Sequence, residues 1–96
     1  MTHPLETPSQ SSLQDYQTRH SYAILRLPDV LQLRGRSRSS HYLDIKQGLF
    51  TRQVNLGIHC VGWPEHEVIA LNRARISGMN EEEIKKLVNR LEAERK

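Results

Sequence analysis

Between positions 36 and 40 the sequence reads Arg36-Ser37-Arg38-Ser39-Ser40, two guanidiniums and three hydroxyls on successive residues. A guanidinium is a rigid fork of N–H donors. It matches paired acceptors such as phosphate oxygens, or O6 and N7 of a guanine edge. Serine hydroxyls and the free N–H groups at a helix start bind phosphate oxygens. Lys46, Arg52 and His59 follow as further donors for a polyanionic backbone. The chemistry of this set is recognition, not bond-making.

No nucleophile elbow, phosphate-cradling glycine loop or paired-carboxylate motif accompanies these residues, so no catalytic residue is assigned and an enzyme is not expected. His59 and Cys60 are neighbours, and neighbours on a strand point to opposite faces. Cys60 is the single cysteine, so neither a metal site nor an intrachain disulfide is expected, and no cofactor is implied. Cys60, His41, Tyr42 and Trp63 read instead as packing residues.

Elements must hold the donors in place. Tyr22 to Leu27 reads as a short extended segment entering the core. Pro28 suits the first position of a helix, with Asp29 at the positive end of its dipole and Val30 and Leu31 facing inward. Gly35 can take the positive φ that ends it. Ser37 is a good N-cap for a second, basic helix from Arg38 to Gln47, on which Tyr42 and Ile45 share a face with His41 beside them. Gly48 closes that helix, and Leu49 and Phe50 anchor the chain. Gln53 to Leu56 alternates like a half-buried strand, Gly57-Ile58-His59 turns, and Cys60 to Trp63 returns. Pro64 starts a third helix with Glu65 and Glu67 in its first turn and Val68, Leu71 and Ile76 as its inner face. Asn80 and Glu83 have capping-box spacing ahead of a fourth helix. Its residues Ile84, Leu87, Val88 and Leu91 form one apolar stripe. That stripe can fold back onto the domain, pair with a second copy, or take a partner protein.

The expected fold is α+β and mainly helical: a small winged helix-turn-helix (short strand, two helices, β-hairpin wing, helix) plus a C-terminal amphipathic helix. Residues 1–20, rich in Ser, Gln, Thr and Pro, read as a flexible arm in which Leu13 and Tyr16 are the docking candidates. Residues 21–78 form the domain and 79–96 the last helix.

Charge agrees with this division. Residues 19–63 carry seven bases against two acids, residues 1–18 carry two acids and no base, and residues 64–96 balance. The positive excess coincides with the helix pair and hairpin, the footprint expected of a double-stranded DNA partner. Apolar residues make up 36% of the 96 and the mean hydropathy is −0.65. No apolar run is long enough to span a membrane, and the start lacks a signal-peptide pattern, so a cytoplasmic setting without membrane partners is expected.

Taken together, Leu27-Pro28-Asp29-Val30, Ser37-Arg38-Ser39-Ser40-His41-Tyr42, Gly48-Leu49-Phe50, Val54-Asn55-Leu56-Gly57, Val61-Gly62-Trp63 and Glu67-Val68 resemble, in order and spacing, the AlpA family of phage and prophage regulators. Those are small winged helix-turn-helix domains related to phage excisionases and the MerR-like fold. The resemblance implies that Ser37 to Lys46 is the recognition helix and Gly57-Ile58-His59 the wing tip. Thr51 and Gln53 stand where the family often has proline, and Ile58-His59 replaces a more charged tip. Asp44 replaces a commonly apolar residue and Leu43 a commonly basic one, so either the helix is rotated slightly or Leu43 takes the apolar role. The expected function is sequence-specific DNA binding and transcriptional regulation in a phage, prophage or other mobile element. Arg36, Arg38, Ser39 and Ser40 would read the groove, while Lys46, Arg52 and His59 hold the backbone. One alternative is an excisionase-type directionality factor that bends DNA for an integrase. The other is a protein-interaction adaptor working through the last helix.

Overall fold

The computed structural model describes residues 23–96. The expected arm over residues 1–20, with Leu13 and Tyr16, lies outside them. Among the described residues the order is β1 (Ile24–Leu25), α1 (Leu27–Arg34), α2 (Arg38–Lys46), β2 (Val54–Gly57), β3 (Cys60–Pro64), α3 (Glu65–Ile76) and α4 (Glu81–Ala93). The sheet is antiparallel in the order β1-β3-β2. This is an α+β chain with the winged helix-turn-helix layout.

The hairpin does not stand alone. β1 pairs with β3 in the register Ile24↔Pro64 and Leu25↔Trp63, which roots the wing in the segment that enters α1. Close contact there requires Gly62. A Cβ at that position would lie 2.5 Å from the Ile24 Cγ2 and 2.9 Å from the Leu25 carbonyl oxygen, so the central strand needs a residue without a side chain.

Gly35, at φ 65°, ends α1, and the Arg36 N–H reaches back to the Leu31 carbonyl at 3.2 Å. Pro28 lies within the first two positions of α1, where a missing N–H leaves no bond unmade. Pro64 is one step earlier than expected. It ends β3 and caps α3 with an extended backbone, and the helix begins at Glu65.

Val30, Leu49, Phe50, Trp63, Val68 and Leu71 are buried together, and the Trp63 indole N–H donates to the Thr51 carbonyl at 2.9 Å. Ile76 is a correction: it is 85% exposed, and Ala74 takes the inner position. Ala74 lies three residues after Leu71 and so on the same face, whereas Ile76 lies five after it and turns away.

The stripe Ile84, Leu87, Val88 and Leu91 is buried in the same core, so α4 docks within its own chain and the stripe is not an open partner surface. The capping box of α4 is formed in both directions: the Glu83 N–H donates to Asn80 Oδ1 at 2.9 Å and the Asn80 N–H to Glu83 Oε1 at 3.0 Å. Its far end is tied down by Arg95, whose fork meets the wholly buried Glu67 carboxylate at 2.8 and 2.7 Å. Arg95 also donates to the Arg52 carbonyl at 2.7 Å, and the Arg52 N–H donates to Glu92 at 2.7 Å. The end of α4 therefore holds the loop that leads into the wing.

Among the described residues, no helix is long and apolar enough to cross a membrane.

Candidate nucleic-acid interface

Ser37 has extended backbone angles, and its Oγ accepts the Ser40 N–H at 3.2 Å. One of the orphan donors of the first turn is thereby satisfied, and the serine hydroxyl proton stays available. Arg38 and Ser39 are exposed on that turn, and Ser40 is half-buried. The Arg38 guanidinium hangs 5.8 Å over the Tyr42 ring and has no hydrogen bond or ion pair among the described residues.

The α2 start differs from its neighbours in charge. Asp29 stands in the first turn of α1, Glu65 and Glu67 in that of α3, and Glu81, Glu82 and Glu83 in that of α4, while the first turn of α2 holds no acid. Carboxylates answer the positive dipole end of the other three helices. At α2 that end is left to solvent with Arg38 beside it, and an anion placed there meets N–H groups, hydroxyls and a guanidinium together.

Arg36 departs from the expected free, base-reading guanidinium. Its fork is closed on Asp44, with Nε donating to Oδ2 at 3.1 Å and Nη2 to Oδ1 at 2.9 Å. Lys46 is exposed on the last turn of α2, as a backbone-contacting lysine would be. Arg52 is 76% exposed and meets Glu92 at 3.3 Å, a surface pair weak enough to exchange for a phosphate. His59 sits at the hairpin turn with φ 56°, and Ile58 beside it is 90% exposed. The structure thus gathers Ser37, Arg38, Ser39 and Ser40 at one helix end, and leaves Lys46, Arg52 and His59 on separate elements.

Beneath α2 lies a polar cluster that sequence patterning misses. Asp44 is buried and Leu43 is exposed, so Leu43 does not take the apolar role and the inward residue is the carboxylate. Arg34 donates to Asp44 Oδ2 at 2.7 Å and to His41 Nδ1 at 2.7 Å, and its guanidinium lies 3.9 Å from the Phe50 ring centre. Since Arg34 donates to Nδ1, the neutral imidazole carries its proton on Nε2, which is buried without a hydrogen-bond partner among the described residues, and the ring packs in T-shaped contacts with Tyr42, Phe50 and Trp63 at 4.8 to 5.2 Å between ring centres. Burial, reinforced by the Arg34 charge, pushes His41 down to about 4. Burial works to raise the Asp44 carboxyl, but the hydrogen bonds from Arg34 and Arg36 outweigh it and hold the group below its usual value. Burial lowers the Arg34 guanidinium, against the pull of Asp44. His41 and Asp44 are three apart on α2 and so share a face, the one local signal that could have pointed to this cluster.

A three-residue turn between α1 and α2, an exposed basic helix start and a hairpin rooted on the strand that enters α1 define a small winged helix-turn-helix. Residues 23–76 match the family model described as Prophage CP4-57 regulatory protein (AlpA), and the chain belongs to the AlpA family, a family of phage-type regulatory proteins. Over 55 residues it is 46% identical to ORF88, an uncharacterized protein of Enterobacteria phage P4, a match that covers 57% of this chain and 62% of ORF88. No solved structure matches it.

Proposed function

We propose that this chain is a sequence-specific DNA-binding regulator of a phage, prophage or other mobile element, acting in the cytoplasm with duplex DNA as its partner and no catalytic step of its own. The carrying observation is the start of α2, where Arg38 and Ser39 face solvent on a helix end without acids. In a helix-turn-helix that end enters the major groove. Arg38, Ser39 and Ser40 then address base edges, with the Arg38 fork matched to guanine. Ser37 and the first N–H groups hold a phosphate, and Lys46, Arg52 and His59 meet the backbone along α2, at the wing base and at the wing tip. Arg36, fixed on Asp44, sets the entry of α2 rather than reading a base.

An adaptor would need the α4 stripe, which packs in the chain's own core.

Selection of bound fragments from phage-bearing host DNA, with the purified full chain at physiological salt, tests the proposal. Enrichment of one short motif supports it. A motif at a promoter indicates transcriptional control, and tandem copies beside an integrase attachment site indicate an excision factor. Random fragments, or none, overturn it.

A further inference from the structure

Three guanidiniums converge on one carboxylate. Arg34 reaches Asp44 at 2.7 Å, Arg36 at 2.9 Å and Arg75 at 3.7 Å. A single carboxylate balances one of these charges, and a neutral His41 adds none. Two positive charges are left over in a half-buried setting, where repulsion is poorly screened. Arg34 is enclosed, with its side chain 1% exposed, but Arg36 and Arg75 keep 38% and 37% of theirs exposed.

Donors are in surplus as well as charge. The 3.7 Å approach of Arg75 is an ion pair too long for a hydrogen bond, so among the described residues its whole fork is unused, and Arg36 keeps its Nη1 free. Both side chains reach the same Asp44 oxygen, which brings them close enough for one tetrahedral anion to bridge. They come from different elements, Arg36 from the α1–α2 turn and Arg75 from the last turn of α3. The Asn72 amide, donating to the Leu33 carbonyl at 3.0 Å, fixes that turn of α3 against the end of α1. A basic residue in the last turn of α3 complements the helix dipole. The dipole does not account for a side chain that crosses to Asp44 on α2.

We propose that Arg36 and Arg75 form a phosphate clamp, oriented by Asp44, and that the phosphate it takes is a backbone phosphate of duplex DNA flanking the groove entered by α2. The second clause rests on the function proposed above; the clamp does not. Charge reading of the sequence passes over Arg75, because residues 64–96 balance overall.

Two readouts on the full chain separate the claims. In the first, inorganic phosphate is titrated at constant ionic strength while the Nε–H resonances of Arg36 and Arg75 are followed by NMR. A saturable shift of both, abolished for Arg36 as well in Arg75→Gln, is expected. Shifts that rise linearly, or that Arg36 keeps in Arg75→Gln, overturn the clamp. An amide spectrum unchanged outside the site confirms that the variant is folded.

The second readout is the salt dependence of DNA binding. Arg75→Gln is expected to weaken binding alike on target and unrelated duplexes, and to reduce the log–log salt slope by about 1, the contribution of roughly one phosphate contact. Arg75→Lys keeps the slope. A saturable phosphate shift with an unchanged slope overturns the DNA source and leaves a site for free phosphate. If wild type binds phosphate but no duplex, the clamp stands and the proposed function falls.

Discussion

Arg34 and Asp44 form a buried ion pair at 2.7 Å, with side chains 1% and 5% exposed, between the last turn of α1 and the inner face of α2. The pair fixes how the second helix leaves the first, and thus where Arg38 and Ser39 project. Removing one partner strands a charge in the core. Asp44→Ala is expected to destabilise the chain by about 3–5 kcal/mol in urea unfolding, a large part of the stability of a small domain. Replacing both partners with apolar residues, Arg34→Met with Asp44→Leu, recovers much of that loss. A single variant as stable as wild type would show that the pair is not what locks α1 to α2.

Acid should loosen the same cluster in two stages. His41 has a folded value of about 4, below the ordinary 6.5, so the unfolded chain takes up this proton first. Stability therefore falls as pH drops from 6.5 towards 4, by up to about 3 kcal/mol. Asp44 adds a second loss. Its folded value lies below the ordinary 3.8, so its contribution is present above 3.8 and disappears as pH falls through the folded value. Urea unfolding as a function of pH checks both. His41→Gln, which keeps an acceptor for Arg34, flattens the upper window, and an unaltered profile in that variant would refute the assignment.

The Arg95 fork on the buried Glu67 predicts an effect on stability away from the start of α2. The hydrogen bonds to Glu67 raise the Arg95 guanidinium above its usual value despite partial burial. Arg95→Ala leaves a buried carboxylate without its partner and is expected to cost about 3 kcal/mol in thermal or chemical unfolding. Deleting residues 95–96 should match it. Loss from the deletion alone would place the effect elsewhere.

Gly62→Ala forces a methyl against Ile24 and the β1 backbone. Overpacking of this kind costs about 1–3 kcal/mol, measurable as a lowered melting temperature. Gly35→Ala differs, because nothing lies within 4 Å of the added carbon. Its penalty comes from the backbone at φ 65° alone. Equal tolerance of both substitutions would contradict the packing of β1 on β3.

Local signals carry far in this chain. Pro28, Gly35, Ser37, Gly48, Pro64 and the Asn80–Glu83 box mark helix ends through chemistry that acts within a few residues, and the structure shows each in its expected role but for single-residue offsets of Pro28 at α1 and Pro64 at α3. The α4 stripe showed its face but not its partner, since amphipathicity says which side is buried and not against what. The inward Asp44 was unreadable. Burying a carboxylate depends on Arg34, Arg36 and Arg75, and the last is 31 positions away along the chain. The buried Glu67 depends in the same way on Arg95. At the candidate interface, Ser37 to Ser40 could be read as a helix start, but the closure of Arg36 on Asp44 could not, because an arginine before a helix looks the same whether it faces solvent or folds back.

The central claim is that α2 reads DNA sequence through Arg38. Its most direct test is the affinity of wild type and Arg38→Ala, at physiological salt, for the selected duplex and for a shuffled duplex of equal composition. The expected result is a loss of about 1–3 kcal/mol on the selected duplex, a much smaller change on the shuffled one, and relaxed preference at one base pair. Equal affinity of wild type for the two duplexes, or a preference that Arg38→Ala leaves intact, would contradict it.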